Sequence, residues 1–180
     1  MYKADRAFAL VQNRAFGTRR VRVVFGSASG RFGAEQTIHT SRPDTQGGLM
    51  RAAVNERGDI AVLHRAIHAG GSSRIVLLER PAGGRFGAAQ TVEAVASCRC
   101  YSEPRSIAVA IGQHGELALA YERAGSMMVR TRPAGGRLGP AVRVGESYEA
   151  RALQTAISAR GAVWVTWFDN PADGGPGRAR

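Results

Sequence analysis

A cassette of roughly fifty residues recurs along this chain, and that recurrence restricts the fold to an array of like units. Ser29-Gly30-Arg31-Phe32-Gly33, Gly83-Gly84-Arg85-Phe86-Gly87 and Gly135-Gly136-Arg137-Leu138-Gly139 mark successive copies. The stretch Pro81 to Arg85 repeats verbatim at Pro133 to Arg137. Each copy holds four short apolar runs, too short for helices and rich in β-branched residues, so the units are expected to be small antiparallel sheets.

In chain order the four runs can be called b, c, d and a. The b run is small and apolar, as in Arg51 to Asn55, Ser106 to Ile111 and Leu153 to Ser158. It leads into a turn centred on Gly58, Gly115 or Gly161, where glycine supplies the positive φ of a tight hairpin. The c run follows at once: Ile60 to Leu63, Leu117 to Tyr121 and Val163 to Trp167. The d run is Arg20 to Phe25, Arg74 to Leu78 and Met127 to Thr131, and the a run follows the glycine marker as Gln36 to Ile38, Gln90 to Val92 and Val142 to Val144. Phe32, Phe86 and Leu138 hold one position in the marker and are expected to be equivalent buried plugs between neighbouring units.

The longest connector joins a to the next b, and b to c is the tightest turn. That rhythm is expected of a radial meander with b innermost and a outermost. The pattern Ala-Val-Asn-x-x-Gly-Asp-x-Ala-Val, followed by Arg-Pro-Ala-Gly-Gly-Arg-Phe-Gly-x-x-Gln-Thr, resembles the repeats of bacterial β-propeller proteins. It is distantly similar to the Asp-box repeats of sialidase-type propellers. The turn aspartate of such a box stands here only at Asp59, with Glu116 and Ala162 in the other copies.

The resemblance implies an all-β chain, a β-propeller fragment forming an open arc of two complete four-stranded blades, 49–94 and 105–146, between two partial ones, 4–40 and 151–168. The repeats fill 1–168, and the tail 169–180, with its Asn, Asp, Pro and Gly, is expected as a loop or disordered end. In this reading the outer blades lack neighbours, and the chain's partners include the remaining blades of a longer chain. Trp164 and Trp167 are expected together on one face of the last c run, with Val165 on the other.

Function is less constrained. The formal charge of +11 comes almost wholly from arginine, since Lys3 is the only lysine among 25 basic residues. The arginines are spread over every copy, the densest group being Arg19, Arg20 and Arg22, so a solvated surface is expected and nucleic acid is not the expected partner. Tyr121-Glu122 and Tyr148-Glu149 supply the residue types of a sialidase nucleophile, but neighbours in a strand point to opposite faces. His64, His68, Cys98 and Cys100 could in principle hold zinc, yet His-x-x-x-His suits a helix and here spans a strand end and a glycine loop. The glycine marker leads into a strand and lacks the Lys-Ser/Thr of a phosphate loop.

No cofactor, metal or catalytic residue is therefore expected within the chain. The start shows no apolar core of a signal peptide, and no apolar run approaches the ~18 residues needed to span a bilayer. An extracytoplasmic location would follow only from a signal elsewhere in a longer protein. The leading expectation is a noncatalytic binding or scaffolding module for an unidentified glycan or protein ligand. The alternatives are part of a sialidase-like glycoside hydrolase with its catalytic residues elsewhere, and a polyanion or nucleic-acid binder.

Overall fold

The computed structural model describes residues 8–15, 18–26, 29–41, 45–68, 71–96, 106–147, 150–169 and 178–179. Its local logic is clearest at the b–c turns. Gly58, Gly115 and Gly161 adopt φ of +88°, +93° and +79°. Each donates its backbone N–H to the carbonyl three residues earlier, on Asn55, Gly112 and Ser158, at 2.9 to 3.1 Å. The same three earlier residues donate their own N–H to the carbonyls of Asp59, Glu116 and Ala162. One backbone turn is thus built three times, at a place where any residue with a Cβ would be strained.

The strands flanking these turns form four antiparallel sheets. The first contains β1 (Phe8–Ala15), β2 (Thr18–Phe25) and β3 (Gln36–Thr40) in that order. The second is the meander β4 (Thr45–Val54), β5 (Ile60–His68), β6 (Ser73–Arg80) and β7 (Gln90–Val95). The third repeats it as β8 (Ile107–Ile111), β9 (Leu117–Arg123), β10 (Ser126–Arg132) and β11 (Val142–Glu146). The fourth holds β12 (Arg151–Ile157), β13 (Val163–Asp169) and the short β14 (Arg178–Ala179). Among the described residues there is no helix and no sheet closes into a barrel.

A β-bulge recurs at one place in the first three sheets. Pairing slips between Val21 and Arg22, between Ile75 and Val76, and between Met127 and Met128, leaving Ile38, Val92 and Val144 as the extra residues opposite. A bulge raises local twist and turns the edge strand away. The first strands of the last three sheets converge, β8 lying beside both β4 and β12.

The core consists of three joints between successive sheets rather than one central mass. Along β5 the side chains alternate: Ile60 and Val62 pack back against Val21, Phe25 and Ile38 of the first sheet, and Ala61 and Leu63 pack forward against Ile107, Leu119 and Tyr121 of the third. Both faces being covered, the first four residues of the strand, Ile60 to Leu63, read as an unbroken apolar run. Leu117, Leu119 and Tyr121 of β9 face back toward the second sheet, and Ala120 faces forward to meet Leu153 and Trp167.

Three expectations need correction. Phe86 and Leu138 pack into the joint between their own sheet and the preceding one, but Phe32 is 57% exposed. Its sequence position is the same; what differs is that no described sheet lies on that side of the first one. The two tryptophans do not share a face, because three residues in a strand of period two is an odd step. Val165 and Trp167 enter the third joint together, and Trp164 points away with 65% exposure. The tail 169–180 is not wholly loop, since Arg178 and Ala179 pair with Asp169 and Phe168 in the place of a d strand.

Candidate functional site

The second joint shows what a fully engaged interface between these sheets contains. Arg132, ending β10, reaches back to Glu79 with two hydrogen bonds of 2.6 Å, a bidentate pair whose side chains are only partly exposed. Such a fork fixes orientation as well as charge. Arg130 donates to the Val92 and Gly139 carbonyls at 2.5 and 2.7 Å. Asn55 donates through Nδ2 to the Gly112 carbonyl at 2.9 Å, tying one b–c turn to the next. Asp59 in turn accepts from the Ala82 N–H at 2.8 Å and from Arg57, bracing the marker loop against the b–c turn. Burial tends to raise its pKa, but the bonds from Asn55, Ala82 and Arg57 outweigh this and hold the carboxyl below its usual value.

The first joint departs from this pattern at one decisive place. The marker glycines Gly33, Gly87 and Gly139 each bond to the carbonyl eight residues earlier, on Phe25, Glu79 and Thr131. Phe25 therefore occupies the position of Glu79, and Arg80 the position of Arg132. Arg80 again reaches back, and finds an aromatic ring: its guanidinium carbon lies 4.6 Å from the centroid of Phe25. The cation is stacked rather than paired with a carboxylate.

Around it opens a groove of about 1230 Å³ between the first and second sheets. Two consecutive glycine markers form its walls, bringing in Arg31 and Arg85 beside Arg80, with Phe25 and Phe86 on the floor and Phe32 at the rim. Gln36 and Thr37 complete the polar lining, and no acidic residue is among the described lining residues. The acidic groups next to lining residues along the chain, Glu35 and Glu79, are held by Arg22 at 2.5 Å and by Arg132 at 2.6 Å. Arg80 and Arg85, set beside the phenylalanine rings, make a surface suited to an anion with a flat or apolar body.

A smaller hollow of about 430 Å³ lies where β4, β8 and β12 meet, lined by Arg51, Gln154, Thr155 and small apolar residues. Among the described residues that line it Arg51 is the charged one, and it donates to the Met50 carbonyl.

The tyrosine–carboxylate contact of the structure runs between sheets and not within the Tyr121-Glu122 dipeptide. Tyr121 is fully buried and donates to Glu93 of the second sheet at 2.9 Å, and Glu122 lies on the opposite side of β9. Burial, reinforced by the Glu93 carboxylate, drives the phenol well above its ordinary pKa. A nucleophilic phenolate needs the reverse, so this pair is an inter-sheet tie. Tyr148, Glu149, Cys98 and Cys100 lie outside the described residues. His64 is buried against His39, their rings 5.8 Å apart, and burial lowers the His39 pKa. No cluster of three metal-ligating side chains occurs among the described residues, and no helix among them could cross a membrane.

Sequence reasoning gave the marker phenylalanines a packing role and passed over the arginine beside each. The signal was available: Arg31 and Arg85 hold one position of the repeat, and aligning the d runs sets Phe25 against Glu79. No protein-family model matches this chain, and no curated protein matches it significantly.

Proposed function

We propose that this chain is a noncatalytic binding module built of propeller-type repeats, and that it holds an anionic ligand in the groove between its first two sheets. The observation that carries the reading is the exchange of Glu79 for Phe25 at equivalent positions. It leaves Arg80 stacked on a ring where Arg132 is neutralised by a carboxylate. A joint that served only for cohesion would gain nothing from placing Arg80 and Arg85 together with no acidic residue among the described residues that line the groove. The raised pKa and burial of Tyr121 favour this reading over a sialidase-like one.

The test is titration with a sulfated oligosaccharide across a range of salt concentrations. Wild-type affinity should fall linearly on a log–log salt plot, and Arg31→Ala and Arg85→Ala should each weaken binding and flatten the slope by roughly one unit. Arg151→Ala and Arg160→Ala, exposed on the fourth sheet, serve as controls and should leave it unchanged. Equal losses from groove and control arginines would reduce the interaction to nonspecific charge and overturn the assignment.

A further inference from the structure

One contact recurs in all three joints with a different chemical pair each time. Six residues on from the marker glycines Gly33, Gly87 and Gly139 stand His39, Glu93 and Gly145. Six residues on from the turn glycines Gly58, Gly115 and Gly161 stand His64, Tyr121 and Trp167. Each residue of the first set meets its counterpart in the second across a joint. Tyr121 donates to Glu93 at 2.9 Å, and Trp167 covers Gly145 so closely that an added Cβ would lie 3.0 Å from the indole. In the first joint the pair is His39 and His64, with ring centroids 5.8 Å apart and planes inclined at 62°.

Of the three pairs, only the imidazoles ordinarily change charge between about pH 8 and 5, a range in which phenol, indole and carboxylate keep their state. His64 is fully buried and His39 half-buried. Alternation fixes what faces them. On β2, Val21 stands opposite His39, and Arg20 and Arg22 turn to the far face, where Arg22 engages Glu35. On β4 and β6, Met50 and Val76 stand beside His64. Arg51, Arg65 and Glu79 share the faces of Ala53, Leu63 and Leu77, which serve the second joint. The charged and titratable groups on the described facing sides are His68 of β5 and Arg74 and Arg80 of β6, with Arg31 and Arg85 at the groove end. A proton added to His39 therefore sits among bases, withdrawn from water, with no carboxylate on those sides. Burial accordingly holds the His39 pKa below its ordinary value.

We infer that the first joint is an acid-released contact: below about pH 6 a proton on His39 parts its ring from His64 and frees the first sheet from the second, while the second and third joints hold. The sign follows from linkage. A base whose pKa is lowered in the closed joint takes its proton more readily once the joint opens, so closure is complete above about pH 6.5 and weakens as pH falls below it. For one imidazole that stays neutral when closed and recovers its ordinary pKa when open, the opening constant rises by about tenfold between pH 7.5 and 5.5.

Amide hydrogen exchange of the full chain, expressed as protection factors so that the intrinsic pH dependence cancels, tests this. It needs no ligand, so its outcome is independent of the groove assignment. From about pH 7.5 to 5.5 the amides shared by β2 and β3 should lose protection several-fold, up to about tenfold, and those shared by β9 and β10 should lose none. His39→Gln keeps a polar side chain of similar size at a half-buried place and should make the first sheet as indifferent to acid as the third. The pair His39→Glu with His64→Tyr copies the tie of the second joint into the first and should do the same. A wild-type first sheet no more acid-sensitive than the third, or an undiminished acid response in His39→Gln, overturns the inference.

Discussion

Removing one oxygen atom at Tyr121 separates a structural tie from a catalytic phenol. The hydroxyl bonds Glu93 at 2.9 Å across the second joint, and Glu93 also meets Arg123 at 3.2 Å. A hydrogen bond to a charged acceptor contributes about 1.5–3 kcal/mol, but here the carboxylate keeps a second partner when the phenol is lost. The cost of Tyr121→Phe should therefore sit near the lower end, about 1–2 kcal/mol. For a domain of this length that corresponds to a fall in melting temperature of roughly 2–8 °C.

The pH dependence supplies the sharper readout. The folded pKa of Tyr121 lies above the ordinary value of 10, first because burial disfavours the phenolate and then because Glu93 repels it. Its contribution to stability is thus complete below about pH 10 and is lost as pH rises through the folded value, where unfolding takes up the charge the core refuses. Ultraviolet absorbance should show one of the four tyrosines ionising only with unfolding, and Tyr121→Phe should abolish that step. A Tyr121 that ionises reversibly near its ordinary pKa in the folded protein, with no thermal penalty for the phenylalanine variant, would refute the tie.

Two further substitutions address the turns. Gly161→Ala meets no atom within 4 Å of the new Cβ, so the whole expected loss of about 1–2 kcal/mol, read by denaturant unfolding, comes from forcing alanine to positive φ. Asp59→Asn should cost about 1–3 kcal/mol at neutral pH by weakening the bonds to Arg57 and Ala82. Because the folded pKa of Asp59 is depressed, that contribution is present above about pH 4 and lost as pH falls through the lower folded value, so melting curves of variant and wild type should converge in acid.

The features legible in the sequence are those set within one repeat, and the others depend on what a neighbouring sheet presents. Runs of four to six β-branched and small residues between glycine turns specify an all-β chain because nothing in them has helical periodicity. Gly58 recurs as Gly115 and Gly161 because a backbone conformation can be read from residue type alone. Glu79 and Arg132 stand 53 residues apart, and neither announces the other. The bulges after Val21, Ile75 and Met127 leave no mark either, since the inserted Ile38, Val92 and Val144 look like ordinary strand residues.

Phe32 shows the limit most directly. It matches Phe86 in residue type and in spacing from the marker glycines, yet one ring is packed and the other is in solvent. Burial is a property of the pair of sheets, not of the repeat, so identical residues diverge wherever the array meets an uncovered side. The same reasoning explains why Ala61 and Ala118 can give way to Trp164 at the last copy. A small residue at that position is required only where a following sheet of the same kind presses against it; no described sheet lies on that side of the fourth, and there the indole stands exposed.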